Sequence, residues 1–247
     1  GSVAPAVTEL APGGLISIFG RQLAPAGTAR AVAASDLVDG KLPTKLASTC
    51  VRISGLLAPL TFVGERQINA QVPNVNLGNA GVTVVANCGE AEEFGSSPLF
   101  TGARLTSPEF LYWVNRGSGN NPVVAVEATS GAFLGPPNLI PGLSFRPGRS
   151  GEVVTVYAVG FGPTTPNPQP GEAVGSAAPT RESVLLFLGG NRVEAGNVLY
   201  AGASPGIAGL YQVNFRIPNV PDGEHKLRIQ VGSFGSPVDG FLLVQAR

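Results

Sequence analysis

The sequence predicts an all-β chain built as two tandem β-sandwich domains. Three observations lead there: an internal repeat, apolar and polar residues taking turns inside it, and an abundance of turn-forming residues. The repeat is the strongest. Gln67-Ile68-Asn69-Ala70-Gln71-Val72-Pro73-Asn74-Val75 returns as Gln212-Val213-Asn214-Phe215-Arg216-Ile217-Pro218-Asn219-Val220, with five of nine positions identical and three more exchanging one apolar residue for another. Alternation predicts a half-buried strand in each copy, with Ile68, Ala70, Val72 and Val213, Phe215, Ile217 facing inward. Gln67, Asn69 and Gln71 point the other way. A proline, which cannot donate to a sheet ladder, stops both strands.

A second match lies upstream, where Gly13-Gly14-Leu15-Ile16-Ser17-Ile18-Phe19 parallels Gly151-Glu152-Val153-Val154-Thr155-Val156-Tyr157. A third lies downstream, where Gly81-Val82-Thr83-Val84-Val85 loosely matches the run from Glu224 to Val231. A period of about 140 residues is too long for a solenoid unit, so each copy reads as a whole domain. The boundary predicted from the repeat gives domains 1–105 and 106–247. Segment 109–135 adds material that the first half does not match. Within it Phe110 to Val114 and Val123 to Glu127 read as strands, and Thr129-Ser130-Gly131 as a turn. The Pro-rich stretch from Pro163 to Glu182 reads as an extended, stiff loop. The Ala-rich piece from Thr28 to Asp36 is the one place where a short helix is expected.

Composition agrees. Hydrophobic residues make up 43% of the 247 and charged residues only 13%, which argues for a folded chain; the Gly 34 and Pro 22 then mark turns between short strands. The net charge of zero leaves no electrostatic footprint for nucleic acid or an anionic membrane surface. No apolar run approaches the roughly 18 residues of a membrane span. Gly1-Ser2 reads as a cleavage scar, so the chain is expected to be part of a longer exported protein. Cys50 and Cys88 have no CxxC or Cys/His spacing and are expected either to form a disulfide or to be two buried thiols. A bond between them would imply an oxidising compartment.

The run Pro12-Gly13-x-x-Ile16-Ser17-Ile18-Phe19-Gly20, then Ala58-Pro59-Leu60, then Gln67-Ile68-Asn69-Ala70-Gln71-Val72-Pro73 resembles a known family. It is the Solibacter-type C-terminal domain family of large secreted acidobacterial proteins. Val154-Thr155-Val156-Tyr157, Gly160-Phe161-Gly162-Pro163 and Gly209-Leu210-Tyr211-Gln212-Val213-Asn214 resemble its second half. The resemblance runs from about Ala11 to Val244. It implies immunoglobulin-like modules at the end of exported proteins, with no assigned activity and no catalytic residues to transfer.

Candidate chemistry is thin. Gly202-Ala203-Ser204-Pro205-Gly206 has the G-x-S-x-G pattern of a nucleophile elbow, followed by Asp222 and His225. Pro205, however, lacks the backbone N–H that an elbow uses as an oxyanion donor. Gly160-Phe161-Gly162 would need a following helix to bind a dinucleotide, and Pro163, Pro166 and Pro168 forbid one. Glu90, Glu92 and Glu93 could offer oxygens to calcium but lack a D-x-D-x-D-G loop and read as a solvated turn. His225, on what reads as an edge strand, has no partner. Asn69 and Asn214 are expected to bond the backbone of a neighbouring loop. The aromatic group Phe110, Tyr112 and Trp113 is the one candidate binding platform, for a protein or a glycan, with buried packing at the domain join as the alternative. The sequence thus points to a non-enzymatic extracellular structural or interaction module, a spacer or adhesion element, without a cofactor. A carbohydrate-binding module accessory to a secreted enzyme is the alternative.

Overall fold

The computed structural model describes residues 9–117 and 119–245. Among them there is no α-helix; the chain is strands, turns and two 3-10 turns at Ala34–Asp36 and Ala195–Asn197. The strands make four sheets. One runs in the order Leu15–Phe19, Gln67–Gln71, Leu60–Gly64, Ala29–Ala31. A second runs Leu56–Leu57, Thr49–Ile53, Gly78–Ala86, with Phe94–Gly95 and Leu99–Ala103 following one another along the far side of Gly78–Ala86. The third is centred on the order Ala125–Glu127, Val153–Val159, Tyr211–Arg216, Val198–Ala203. The fourth is centred on Gly240–Gln245, Gly223–Val231, Val184–Leu188. Two apolar clusters fill the space between sheets, one drawn from residues 10–103 and one from residues 110–244.

The repeated segments occupy equivalent places. Gln67–Gln71 pairs antiparallel with Leu15–Phe19, setting Ser17 opposite Asn69 and Ile18 opposite Ile68. In the second half Tyr211–Arg216 pairs with Val153–Val159, setting Thr155 opposite Asn214 and Val156 opposite Val213. The sequence alignment and the two ladders are in the same register. On the other side of each repeated strand the ladder slips once, between Leu60 and Phe62 and between Val198 and Tyr200. Even the bulge, which sets local twist, is duplicated. The alternation sorts as expected: Ile68, Ala70, Val72, Val213 and Phe215 are 0% exposed. Burying each of the larger side chains contributes about 1.5–3 kcal/mol.

Four expectations fail locally, each for a physical reason. Thr28 to Asp36 is no helix: Ala29–Ala31 forms an edge strand against Leu60–Gly64, and only Ala34–Asp36 coils. A nine-residue segment is below the length at which a helix nucleates alone, while an open edge offers ladder bonds. Phe110 to Val114 is not one strand. Glu109–Phe110 joins the third sheet beside Val159, and Asn121–Pro122 joins the fourth beside Gly240, so the chain between them crosses from one sheet to the other. His225 is not on an edge, because Gly223–Val231 has Gly240–Gln245 on one side and Val184–Leu188 on the other. Asn69 and Asn214 each accept a side-chain bond from the glutamine two residues earlier, at 2.8 and 3.2 Å, rather than bonding a loop backbone.

The predicted turn after Val126 is held by Glu127. Its carboxylate accepts bonds from the N–H of Thr129 and of Ser130 and from the Ser130 hydroxyl, at 2.9, 2.7 and 2.6 Å. These donors, the Ser130 hydroxyl first, hold its pKa down from 4.5 to about 2. The stability it contributes is therefore complete above pH 4.5 and is lost as the pH falls towards 2. Glu127→Ala is expected to cost about 2 kcal/mol at neutral pH. In acid the gap between variant and parent should close, as chemical denaturation at pH 7 and pH 2.5 would record.

Candidate functional site

The aromatic group lies where the second half begins. Phe110 is 0% exposed and belongs to the apolar core, so its ring offers no face to a ligand. Tyr112 is half-buried, and its hydroxyl donates to Asp239 Oδ1 at 3.0 Å. Asp239 in turn accepts from Nδ2 of the fully buried Asn121 at 2.8 Å. Burial first, then the Asp239 carboxylate, raise the Tyr112 pKa far above the ordinary phenol value. Trp113, also half-buried, donates from Nε1 to the Leu134 carbonyl at 3.2 Å. Its ring sits 5.0 Å from Phe133 at 56° and 5.2 Å from Phe145 at 84°. A sugar-stacking platform needs an open, flat face; these rings are tilted into one another, as packed aromatics are.

Other sequence candidates are held by structural bonds. Ser204 is buried and donates to Gln212 Oε1 at 2.9 Å, while His225 Nε2 donates to the Pro221 carbonyl at 2.8 Å. Glu90 pairs with Lys45 at 2.9 Å, which lowers its pKa, and Glu93 lies 3.3 Å from Arg52 and accepts the Gly89 N–H at 2.7 Å, the bond that chiefly lowers its own. Among the described residues no group of three or more His, Cys, Asp or Glu converges on a metal position. Cys50 and Cys88 are bonded, Cα atoms 5.8 Å apart. With Val85 they form a small cluster apart from both cores.

One cleft lies between the two halves of the chain. It encloses about 290 Å³ and is lined by Asn74, Leu77 and Leu105 from one side and Asn167, Pro168 and Tyr211 from the other. Among the described residues Tyr211 is the only ionisable side chain that lines it, which suits a neutral group. A second cleft of about 190 Å³ sets Ser17, Thr61 and Asn69 against Glu109, Leu111 and Val159. Glu109 is only 2% exposed, and burial pushes its carboxyl up to about 7.

Sequence reasoning missed the residues of this seam. Gln71 was expected to face water but is 3% exposed, because the other half covers it. One signal was available: its repeat counterpart, Arg216, is charged where Gln71 is not.

No family model matches the chain, and no curated protein does. Among solved structures it is similar to a Bacteroides ovatus mixed-linkage glucan utilization locus protein, SGBP-B, in complex with a mixed-linkage heptasaccharide. That match has a TM-score of 0.35 and 11% identity over 98% of this chain and 45% of the other, so the chain spans less than half of that neighbour. It is also similar to fibronectin(III)-like modules of Clostridium thermocellum CbhA, with a TM-score of 0.23 and 11% identity over 98% of this chain and 92% of the other.

Proposed function

We propose that the chain is a non-catalytic structural or interaction module of a larger exported protein, a spacer or adhesion element made of two tandem immunoglobulin-like sandwiches, residues 1–105 and 106–247, of the Solibacter type. The observation that carries this reading is strand order. With the seven main strands of the second half counted from Ala125–Glu127 to Gly240–Gln245, one sheet runs first-second-fifth-fourth and the other third-sixth-seventh. That is the order of the constant-type immunoglobulin sandwich. The first half repeats it from its second strand onward, and Leu10, bridged in parallel to Ala103 of the last strand, matches Gly148, which pairs in parallel with Val244.

Two further features support the reading. Ser204, His225, Glu90 and Glu93, the candidates for chemistry that the sequence offered, are tied to a neighbouring side chain, to backbone or to opposite charges, which is how structural polar groups are satisfied. The disulfide suits an oxidising compartment. Among the described residues no helix is long and apolar enough to cross a membrane.

The test combines a location and an activity. Antibody should label the protein on intact producer cells, in their medium, or both; signal confined to permeabilised cells would overturn the extracellular reading. Affinity electrophoresis on soluble polysaccharides and an esterase screen should both be blank. Retention lost in Trp113→Ala would instead make it a carbohydrate-binding module, and hydrolysis lost in Ser204→Ala would make it an enzyme. Absent either, Trp113→Ala should lower only stability, by about 2 kcal/mol.

A further inference from the structure

A linker between two domains is ordinarily exposed and flexible, and relative motion is the default. This one is largely buried and hydrogen-bonded. Residues 106–108 are buried. Thr106 Oγ1 donates to the Val231 carbonyl at 2.8 Å, and Ser107 N–H to the Gly160 carbonyl at 2.7 Å. Arg104 lies 3.6 Å from Glu9 in the first half, with its guanidinium 4.3 Å from the centre of the Phe234 ring in the second.

A second connection crosses the seam far from the linker in sequence. Gly171, in the Pro-rich loop of the second half, accepts a bond from Leu42 N–H at 2.9 Å and donates its own N–H to Gln71 Oε1 at 2.6 Å. The other end of Gln71, Nε2, donates to the Gly13 carbonyl at 2.9 Å. Gly171 has φ +85°, and a Cβ there would lie 3.2 Å from the Leu42 carbonyl oxygen, so the contact is between backbones and needs glycine. The loop itself is stiffened by Pro163, Pro166, Pro168 and Pro170.

The repeat shows that this contact is specialised. Arg216, the counterpart of Gln71, makes the matching bond to the Gly151 carbonyl at 2.8 Å but is exposed, with no loop across it. Glu152 stands where Gly14 does in the first half. At Gly14 a Cβ would come within 3.2 Å of the Gly160 Cα, so a side chain there would push the halves apart.

We propose that the Pro-rich loop is a strap that holds the two halves at one fixed angle, with Gln71 and Gly171 as its latch. The protein is then a rigid strut with two points of attachment between its halves, the linker and the strap. This holds whether or not the chain serves as a spacer.

The test is the distance distribution between nitroxides on Arg66→Cys in one half and Arg192→Cys in the other, measured by pulsed electron resonance on the whole chain with its disulfide intact. The parent should give one narrow peak. Gln71→Ala and Gly171→Val, each acting on a different side of the latch, should broaden it about twofold or more, towards the mobile-linker default. A broad distribution in the parent overturns the fixed angle. A peak that stays narrow and unmoved in both variants overturns the strap. Neither result bears on whether the protein is exported or binds a partner.

Discussion

Gly160→Ala is expected to destabilise the second half by about 4 kcal/mol, lowering its melting temperature by roughly 8–16 °C. Two costs combine. Gly160 has φ +77°, where a residue with a Cβ loses on the order of 1–2 kcal/mol. That Cβ would also lie 2.0 Å from the Ser107 carbonyl oxygen and 2.7 Å from its carbonyl carbon. Neither can yield cheaply, since both are backbone of a buried segment. Moving Ser107 away breaks its bond to the Gly160 carbonyl and drags Thr106 from Val231. Overpacking of this kind adds about 1–3 kcal/mol. Gly175 is the control, because a Cβ there meets nothing within 4 Å and its φ is not in the left-handed range. Gly175→Ala should melt with the parent. Calorimetry on the three proteins decides the matter, and equal melting of Gly160→Ala and Gly175→Ala would refute the steric account.

Gly160 also illustrates what could be read from sequence. The motif Gly160-Phe161-Gly162 was visible, and the prolines after it excluded a nucleotide loop, but nothing local shows that a linker presses on it. Properties carried by one strand and its ladder were legible. Alternation placed Ile68, Ala70, Val213 and Phe215 in the two cores, and the repeat gave the register that pairs Ser17 with Asn69 and Thr155 with Asn214. Properties that depend on what covers a surface were not. Gln71 has the parity of a water-facing residue and is buried only because a loop 100 positions later lies over it. The aromatic run at Phe110 to Trp113 looked like one strand because composition does not record which sheet a residue joins. Its members split between core, polar network and ring cluster as the chain crosses between sheets. The helix expected at Thr28 to Asp36 failed in the same way, since a free sheet edge outbid a weak local preference.

Replacing Cys50 and Cys88 together by Ala is expected to cost about 4 kcal/mol, the chain-entropy value for the span of 38 that they close. The position of the pair makes the effect local. Val51 and Ile53 face the core of the first half, so Cys50 and Arg52, between and beside them, face outward from the same strand. The bond therefore does not tie two sheets together across a core. It pins the segment after Gly78–Ala86 against the outer surface, where Lys45–Glu90 and Arg52–Glu93 add exposed ion pairs worth little by themselves. The second half has Leu185 and Ser233 at the matching places and stands without a bond. Its larger core, with Phe110, Phe161 and Phe215 all at 0% exposure, explains why it can. Removing the bond should therefore split melting into two transitions, with only the first-half transition lowered, and fluorescence of Trp113 in the second half should follow the upper one. A single, equally lowered transition seen by both probes would mean that the halves unfold as one unit, and the separate stability argued from two distinct cores would be lost.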